Sequence, residues 1–334
     1  MKKWSLYFIL AAFLSISLIS CDKDEDVVLT NSFVPLKEYV VANNMDFNKI
    51  ADGKQVFSPG ALYVTGAIST FKLDSFLTNT VILDIRPAAA FATSHIQGAI
   101  NCTLTEVITK ATDAGASATK HALVVDADGQ TSPYAVVALR MSGFPNAKIL
   151  KWGMSSWNTT CDVWTANKGN AAVGNANWVA GPAPAIGTYA FPVLNSSITD
   201  PKLLLEDQIA KLLAEGPQTV TNTDALSKYA TYHIINYWPE ALVTAHGIIK
   251  NAYRVETLTS VNLNVLDASK TTIFYCYTGQ TAGFLAAWTK VLGYNSKLIT
   301  YGTNGMIYDD MYAKATANTW NKGGDISRTL PVVQ

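Results

Sequence analysis

The sequence predicts an α/β chain built from two similar units, each a parallel sheet flanked by helices. Three observations predict it. The chain is self-similar: HALVVDADGQTSPYAVVALRMSGFPNAKIL, starting at His121, matches KTTIFYCYTGQTAGFLAAWTKVLGYNSKLI, starting at Lys270. Each copy reads as an apolar β-branched strand, a loop holding Gly-Gln-Thr, an amphipathic helix, a Gly-aromatic turn and another short strand, the pattern of a parallel sheet with helices on its faces. The offset between copies holds steady: 152 from Asp84 to Asn236, 150 from Gly129 to Gly279, 150 from Gly143 to Gly293, and 149 from Gly153 to Gly302.

Composition agrees. With 334 residues, 49% hydrophobic and 15% charged, the chain has room for two ordinary globular cores. Lys+Arg and Asp+Glu balance at 25 each, and no basic run is interleaved with aromatics, which argues against nucleic-acid binding.

Residues 1–20 read as an export signal: Lys2 and Lys3, then an apolar stretch from Trp4 to Ile19, too short for a membrane span. The ending Leu18-Ile19-Ser20-Cys21 resembles the lipobox of bacterial lipoproteins, which implies cleavage before Cys21 and a lipid on its sulfur; the alternative is an ordinary secretory signal with an incidental cysteine. The expected location is therefore the bacterial cell envelope, anchored to a membrane through the N-terminal lipid at the outer membrane, the periplasmic face or the cell surface. Residues 21–57 are an N-terminal extension that opens with the acidic leash Asp22-Lys23-Asp24-Glu25-Asp26.

The first unit is assigned to 58–164 and the second to 200–325. Between them, 165–199 carries one charged residue, Lys168, and reads as a linker that wraps one unit, because Trp178, Tyr189 and Phe191 favour burial. The second unit opens with a helix capped by Asp200 with Pro201 in its first turn. Cysteine arithmetic beyond Cys21 leaves an odd set, Cys102, Cys161 and Cys276; spacing leaves open whether Cys102 and Cys161 pair.

The chemistry concentrates in the second Gly-Gln-Thr loop. A buried strand delivers Cys276 to its carboxyl end, and Tyr277, Thr278, Gly279, Gln280 and Thr281 lead into a helix starting near Ala282. Such a loop turns backbone N–H groups towards the sulfur and adds the positive end of a helix dipole, so a thiolate is favoured without a neighbouring histidine. Two reactions use a thiolate in an anion cradle: attack on a sulfane sulfur and attack on phosphorus. A phosphatase loop would end in an arginine, whereas Thr281 stands here and the loop holds no cation, which favours sulfur.

Both copies resemble rhodanese (sulfurtransferase) domains. The first carries the strand end Asp84-Ile85-Arg86, the signature HIQGAIN (95–101) and KWGMSSWN, matching the closing Gly-Gly-x-x-x-Trp segment at Gly153 and Trp157. The second carries the Cys-x-x-Gly-x-Thr loop on weaker flanks: Asn236 and Trp238 replace the acid and the arginine, and GIIKNA (247–252) stands for the histidine signature. Aligned on Gly129, Asp126 takes the nucleophile's place in the first copy, so the resemblance implies an inactive first unit, an active second one and a site in the cleft between them. It further implies that Cys276 takes sulfur from a small-molecule donor, holds it as a persulfide and passes it to a thiol or cyanide, with no cofactor. Charge for an anionic donor is expected from Arg254 and His246, or from Arg86 and His95 across the cleft. The alternatives are a weakly catalytic or non-catalytic binding and sulfur-relay module at the envelope and, more remotely, a phosphatase. Of the remaining residues, Asp84 and Arg86 read as a structural pair, His95, His121 and His233 as structural or incidental, Trp152, Trp157 and Trp288 as packing, and Tyr277 and Gln280 as the pocket mouth. The histidines and cysteines lack zinc spacing.

Overall fold

A computed structural model describes residues 29–322 and 328–334. The expected signal peptide, Cys21 and its acidic leash lie outside the described residues.

Two five-stranded sheets dominate, and every strand pair in them is parallel. In the first half the strands are β1 (Val56–Phe57), β2 (Thr80–Asp84), β3 (Ile100–Asn101), β4 (His121–Val125) and β5 (Lys148–Leu150), ordered β1-β5-β4-β2-β3. In the second half they are β6 (Thr219–Val220), β7 (His233–Asn236), β8 (Tyr253–Arg254), β9 (Thr272–Tyr275) and β10 (Ser296–Ile299), ordered β6-β10-β9-β7-β8. The two orders are the same. The central strands are buried along their length, as sheets covered on both faces require. The α/β class and the two helix-flanked parallel sheets read from the sequence are therefore present.

Four helices form the middle layer: α1 (Phe33–Ala42), α2 (Ser132–Met141), α3 (Pro201–Glu215) and α4 (Gln280–Val291). Every residue of α2 is buried, the pattern of a helix enclosed on all sides. It packs on α4, and α3 lies against both, so one hydrophobic core runs through both halves. The one charge inside α2 is held: Arg140 donates to the carbonyls of Ala147 (2.8 Å) and Ile50 (3.0 Å) and pairs with Asp52 at 2.9 Å. Helix α3 begins as the sequence predicts, with the Asp200 carboxylate accepting the N–H groups of Lys202 and Leu203 at 2.8 and 3.0 Å.

The segment between the halves runs along the second one. Trp178–Val179 pairs antiparallel with Ile248–Ile249, the Trp178 indole donates to His246 O at 2.8 Å, and Tyr189 N–H donates to Asn264 O at 2.7 Å. Phe191 differs from its expected burial: it stacks on Phe33 with ring centroids 5.0 Å apart yet stays 38% exposed, because Phe33 fills the core beneath it. The C-terminal segment crosses back to the first half, where Val333 pairs with His95, and Trp157 Nε1 donates to Pro331 O at 2.8 Å. Trp152, Trp157 and Trp288 are all buried, as packing residues should be. Cys102, Cys161 and Cys276 are free thiols. Among the described residues no helix is long and apolar enough to cross a membrane, and no cluster of three or more His, Cys, Asp or Glu side chains could hold a metal.

Candidate active site

Cys276 directly follows β9, the central strand of the second sheet, where a parallel sheet aims its loops at a ligand crevice. The helix after it starts at Gln280, two residues earlier than the sequence suggests, because Gly279 adopts φ +81° and the Thr278 hydroxyl accepts the Gln280 N–H at 3.1 Å. The loop is braced from behind. Thr303 N–H donates to Cys276 O at 3.0 Å, and the Asn304 side-chain amide donates to Tyr277 O at 2.7 Å. Gly302 makes this approach possible, since a Cβ there would lie 2.2 Å from Cys276 O.

The first half repeats the same construction around Asp126. Met154 N–H donates to Asp126 O at 2.8 Å, and a Cβ on Gly153 would lie 2.7 Å from that oxygen. Here the cradle is filled from within: one Asp126 carboxylate oxygen accepts Gly129 N–H at 2.6 Å, and the other accepts Thr131 and Ser132 N–H, each at 2.8 Å. Burial, reinforced by the neighbouring Asp128 carboxylate, pushes the Asp126 carboxyl up to about 6, against the opposing pull of those three N–H groups. The first loop thus turns three backbone N–H groups onto the side-chain oxygens at position 126. Position 276 stands in the same place, with the N–H groups of Gly279, Thr281 and Ala282 at the corresponding spacing.

The two loops meet face to face. Gln130 of the first loop donates from Nε2 to Thr278 O at 3.0 Å and accepts Tyr301 N–H at Oε1 at 2.9 Å. Each loop glycine lies under the other loop's glutamine: a Cβ on Gly279 would lie 2.3 Å from Gln130 Oε1, and one on Gly129 would lie 2.1 Å from Gln280 Nε2. Tyr301 extends the contact, its hydroxyl donating to Asp128 at 2.6 Å. Beside this junction Trp152 and Trp164 of the first half pack with Tyr308 and Trp320 of the second.

A cleft of about 250 Å³ opens beside the Cys276 loop, lined by Cys276, Tyr277, Thr278, Gln280 and Thr281, by Val56, Ser58 and Lys151 of the first half, and by Asn318. Cys276 itself is 2% exposed and is among the residues that line this cleft. Gly279 lies under Gln130, away from the lining. The Tyr277 ring packs on Trp238 with centroids 5.3 Å apart, and burial raises the Tyr277 hydroxyl above its ordinary value. Trp238, standing where an arginine was expected, therefore supports the loop through packing.

The cations anticipated from the sequence are engaged elsewhere. Arg86 forks onto Asp84 (2.6 and 3.0 Å) and donates to Ser94 O at 2.7 Å, the structural pair that the sequence suggested. Nδ1 of His95 lies 3.0 Å from Phe91 O, and its ring stacks on Phe91. His246 sits between Asp310 (2.5 Å) and Thr316 (2.9 Å), and Arg254 lies between Glu256 (3.0 Å) and Glu240 (3.6 Å). None of the four lines the cleft; Lys151 does. Sequence spacing carried no sign of this, because Lys151 lies 125 positions before Cys276 and only the packing of the two halves brings them together.

Residues 72–160 match the family model for a rhodanese-like domain. No curated protein matches the chain. Among solved structures, a rhodanese-related protein from Thermoplasma volcanium is 25% identical over 27% of this chain and 88% of its own, with a TM-score of 0.23. A thiosulfate sulfurtransferase from Pseudomonas aeruginosa is 13% identical over 80% of this chain and 46% of its own, with a TM-score of 0.28. A 3-mercaptopyruvate sulfotransferase from Escherichia coli is 18% identical over 72% of this chain and 99% of its own, with a TM-score of 0.25. At these scores the fold rests on the strand order described above. Over residues 72–160, this chain is similar to the rhodanese-like domain family.

Proposed function

We propose that the chain is a sulfurtransferase of two rhodanese-like units, the first a scaffold and the second carrying the nucleophile Cys276. The observation that carries the reading is the Asp126 cradle: three backbone N–H groups at 2.6–2.8 Å hold an anion where the second loop has Cys276 beside an open cleft. The identical strand orders and the reciprocal Gln–Gly contacts support a duplicated unit. The cysteine thiolate attacks the outer sulfur of a donor. A new S–S bond forms, the donor leaves with the electron pair of its broken bond, and the terminal persulfide sulfur then passes to a thiol or cyanide. N–H groups of Gly279, Thr281 and Ala282 favour the anionic persulfide as those of the first loop favour Asp126. Tyr277, Thr278, Gln280 and Thr281 shape the mouth, and Gly279 permits the turn.

A cysteine 2% exposed at a small cleft also favours a second reading, a binding or sulfur-relay module that turns over slowly. Lipid attachment at Cys21 would hold either activity at the bacterial cell envelope. Steady-state thiocyanate formation from cyanide separates the two: turnover lost in Cys276→Ser supports the enzyme, and turnover unchanged in that variant contradicts it.

A further inference from the structure

One buried side chain joins two walls of the cleft at Cys276. Asn304 is fully buried, and both protons of its carboxamide are engaged: Nδ2 donates to Tyr277 O at 2.7 Å and to Asn318 O at 2.9 Å. Its Oδ1 accepts Trp320 N–H at 2.7 Å. Tyr277 and Asn318 both line the cleft, the first on the Cys276 loop and the second on the C-terminal segment. Asn318 stands at φ +57°, a backbone conformation that asparagine tolerates better than most residues, and Thr319 and Trp320 after it are buried.

The first half contains the same tie. Ser155 precedes Asn304 by 149 positions, the offset between Gly153 and Gly302. Its hydroxyl lies 2.9 Å from Ala127 O and 3.3 Å from Cys161 O, and it accepts Val163 N–H at 3.0 Å. The partners correspond: a loop carbonyl (Ala127, Tyr277), a carbonyl further along the chain (Cys161, Asn318) and the N–H two residues beyond it (Val163, Trp320), the last two pairs each 157 positions apart. Two differences set the second copy apart. Serine has one proton for two carbonyls, whereas Asn304 has one for each, and only in the second half do the tied residues line the cleft.

We infer that Asn304 is a positioning residue for Cys276: it fixes the Cys276 loop and the Asn318 wall at one separation, and so sets by size which molecules reach the sulfur. The inference rests on the sulfur-transfer reading and adds to it a residue that acts through Tyr277 and Asn318. Moving either wall breaks a hydrogen bond buried away from water, where an unpaired carbonyl or N–H is costly, so the two walls move together. Without Asn304 the loop keeps its other brace, Thr303 N–H to Cys276 O, and the C-terminal segment keeps its anchors: Trp320 packs on Trp152 and Trp164, and Arg328 pairs with Asp162. What is lost is the register between them.

The test uses the full chain and reads Cys276 alone, by mass spectrometry of its peptide. Alkylation by iodoacetamide is compared with alkylation by N-naphthyl iodoacetamide, the same reactive group on a bulkier body, in wild type, Asn304→Ala, Asn304→Ser and Ser155→Ala. In Asn304→Ala the bulky-to-small rate ratio should rise about tenfold, as the lost hydrogen bonds ease local opening of the wall, and loading from a cysteine persulfide should slow by a similar factor. Asn304→Ser, which installs the first half's residue, should fold even where alanine fails and should raise the ratio by a smaller factor. Ser155→Ala loses the matching bonds in the first half, so it should lower the thermal midpoint and leave the ratio at its wild-type value. A ratio unchanged in both Asn304 variants, or raised equally in Ser155→Ala, would overturn the positioning role. A raised ratio in a protein whose wild type gains no sulfur from any donor would instead overturn the sulfur-transfer reading and the part of Asn304 in it.

Discussion

Gln130 reaches across the middle of the molecule to Thr278, its side-chain amide donating to the Thr278 carbonyl at 3.0 Å. The Cys276 loop is thus held by the Asp126 loop. The first half shapes the site although Asp126 cannot accept sulfur. Removing the amide in Gln130→Ala should leave a folded chain and slow Cys276. We expect persulfide formation to drop about tenfold, in line with a loop moved by a fraction of an ångström, with a thermal midpoint lowered by only a few degrees. Stopped-flow loading and calorimetry on the same variant check both parts.

Glycine at 279 is required by backbone and neighbour together: φ is +81° and a Cβ would lie 2.3 Å from Gln130 Oε1. Gly279→Ala should therefore destabilise the chain by about 1–3 kcal/mol and abolish loading, as the strained loop shifts. The paired variant Gly279→Ala with Gln130→Ala relieves the collision but not the φ strain, so it should recover part of the stability. Denaturant titration of the two variants measures the split.

Asp126 gives a pH dependence of unusual sign for a carboxylate. Its folded value is raised to about 6, above that of an unfolded aspartate, so its contribution to stability is fully present below about 4 and is lost as pH rises through about 6. Stability in wild type should fall across that window relative to Asp126→Asn, which does not titrate there. Denaturation midpoints of both proteins at about pH 4.5 and pH 7 provide the comparison, and parallel profiles would contradict the assignment.

The Asp84–Arg86 pair is buried, and neither residue lines the cleft. Arg86→Ala should cost about 3–5 kcal/mol, the penalty of leaving a buried carboxylate without its partner. Below the new midpoint, Cys276 should still load at close to the wild-type rate. Loss of loading in a folded Arg86→Ala protein would give the pair a role in the chemistry.

Much of the architecture was legible in the sequence because its signals are local. Apolar runs such as Ile82–Leu83 and Ile273–Phe274, the Gly-Gln-Thr turns and the Asp200 cap each act within a few residues, and the two parallel sheets follow from them. The loop around Cys276 was legible for the same reason, to within the two residues by which Thr278 and Gly279 start the helix early. What escaped depends on packing between distant segments. Nothing local marks Lys151 as lining the cleft at Cys276, or Trp238 as packing on Tyr277, or the two glutamines as covering opposite glycines. The cations that the sequence suggests by residue type, Arg86, His95, His246 and Arg254, are each held by a neighbour in their own half.

The central claim, that Cys276 carries the transferred sulfur, is tested most directly by weighing the intact protein after brief exposure to 3-mercaptopyruvate, thiosulfate or a cysteine persulfide, and then after cyanide. The account predicts a gain of one sulfur atom per chain, located on the Cys276 peptide, absent in Cys276→Ser and removed by cyanide as thiocyanate. A chain that gains no sulfur from any of the three donors, or that gains it equally in Cys276→Ser, would contradict it.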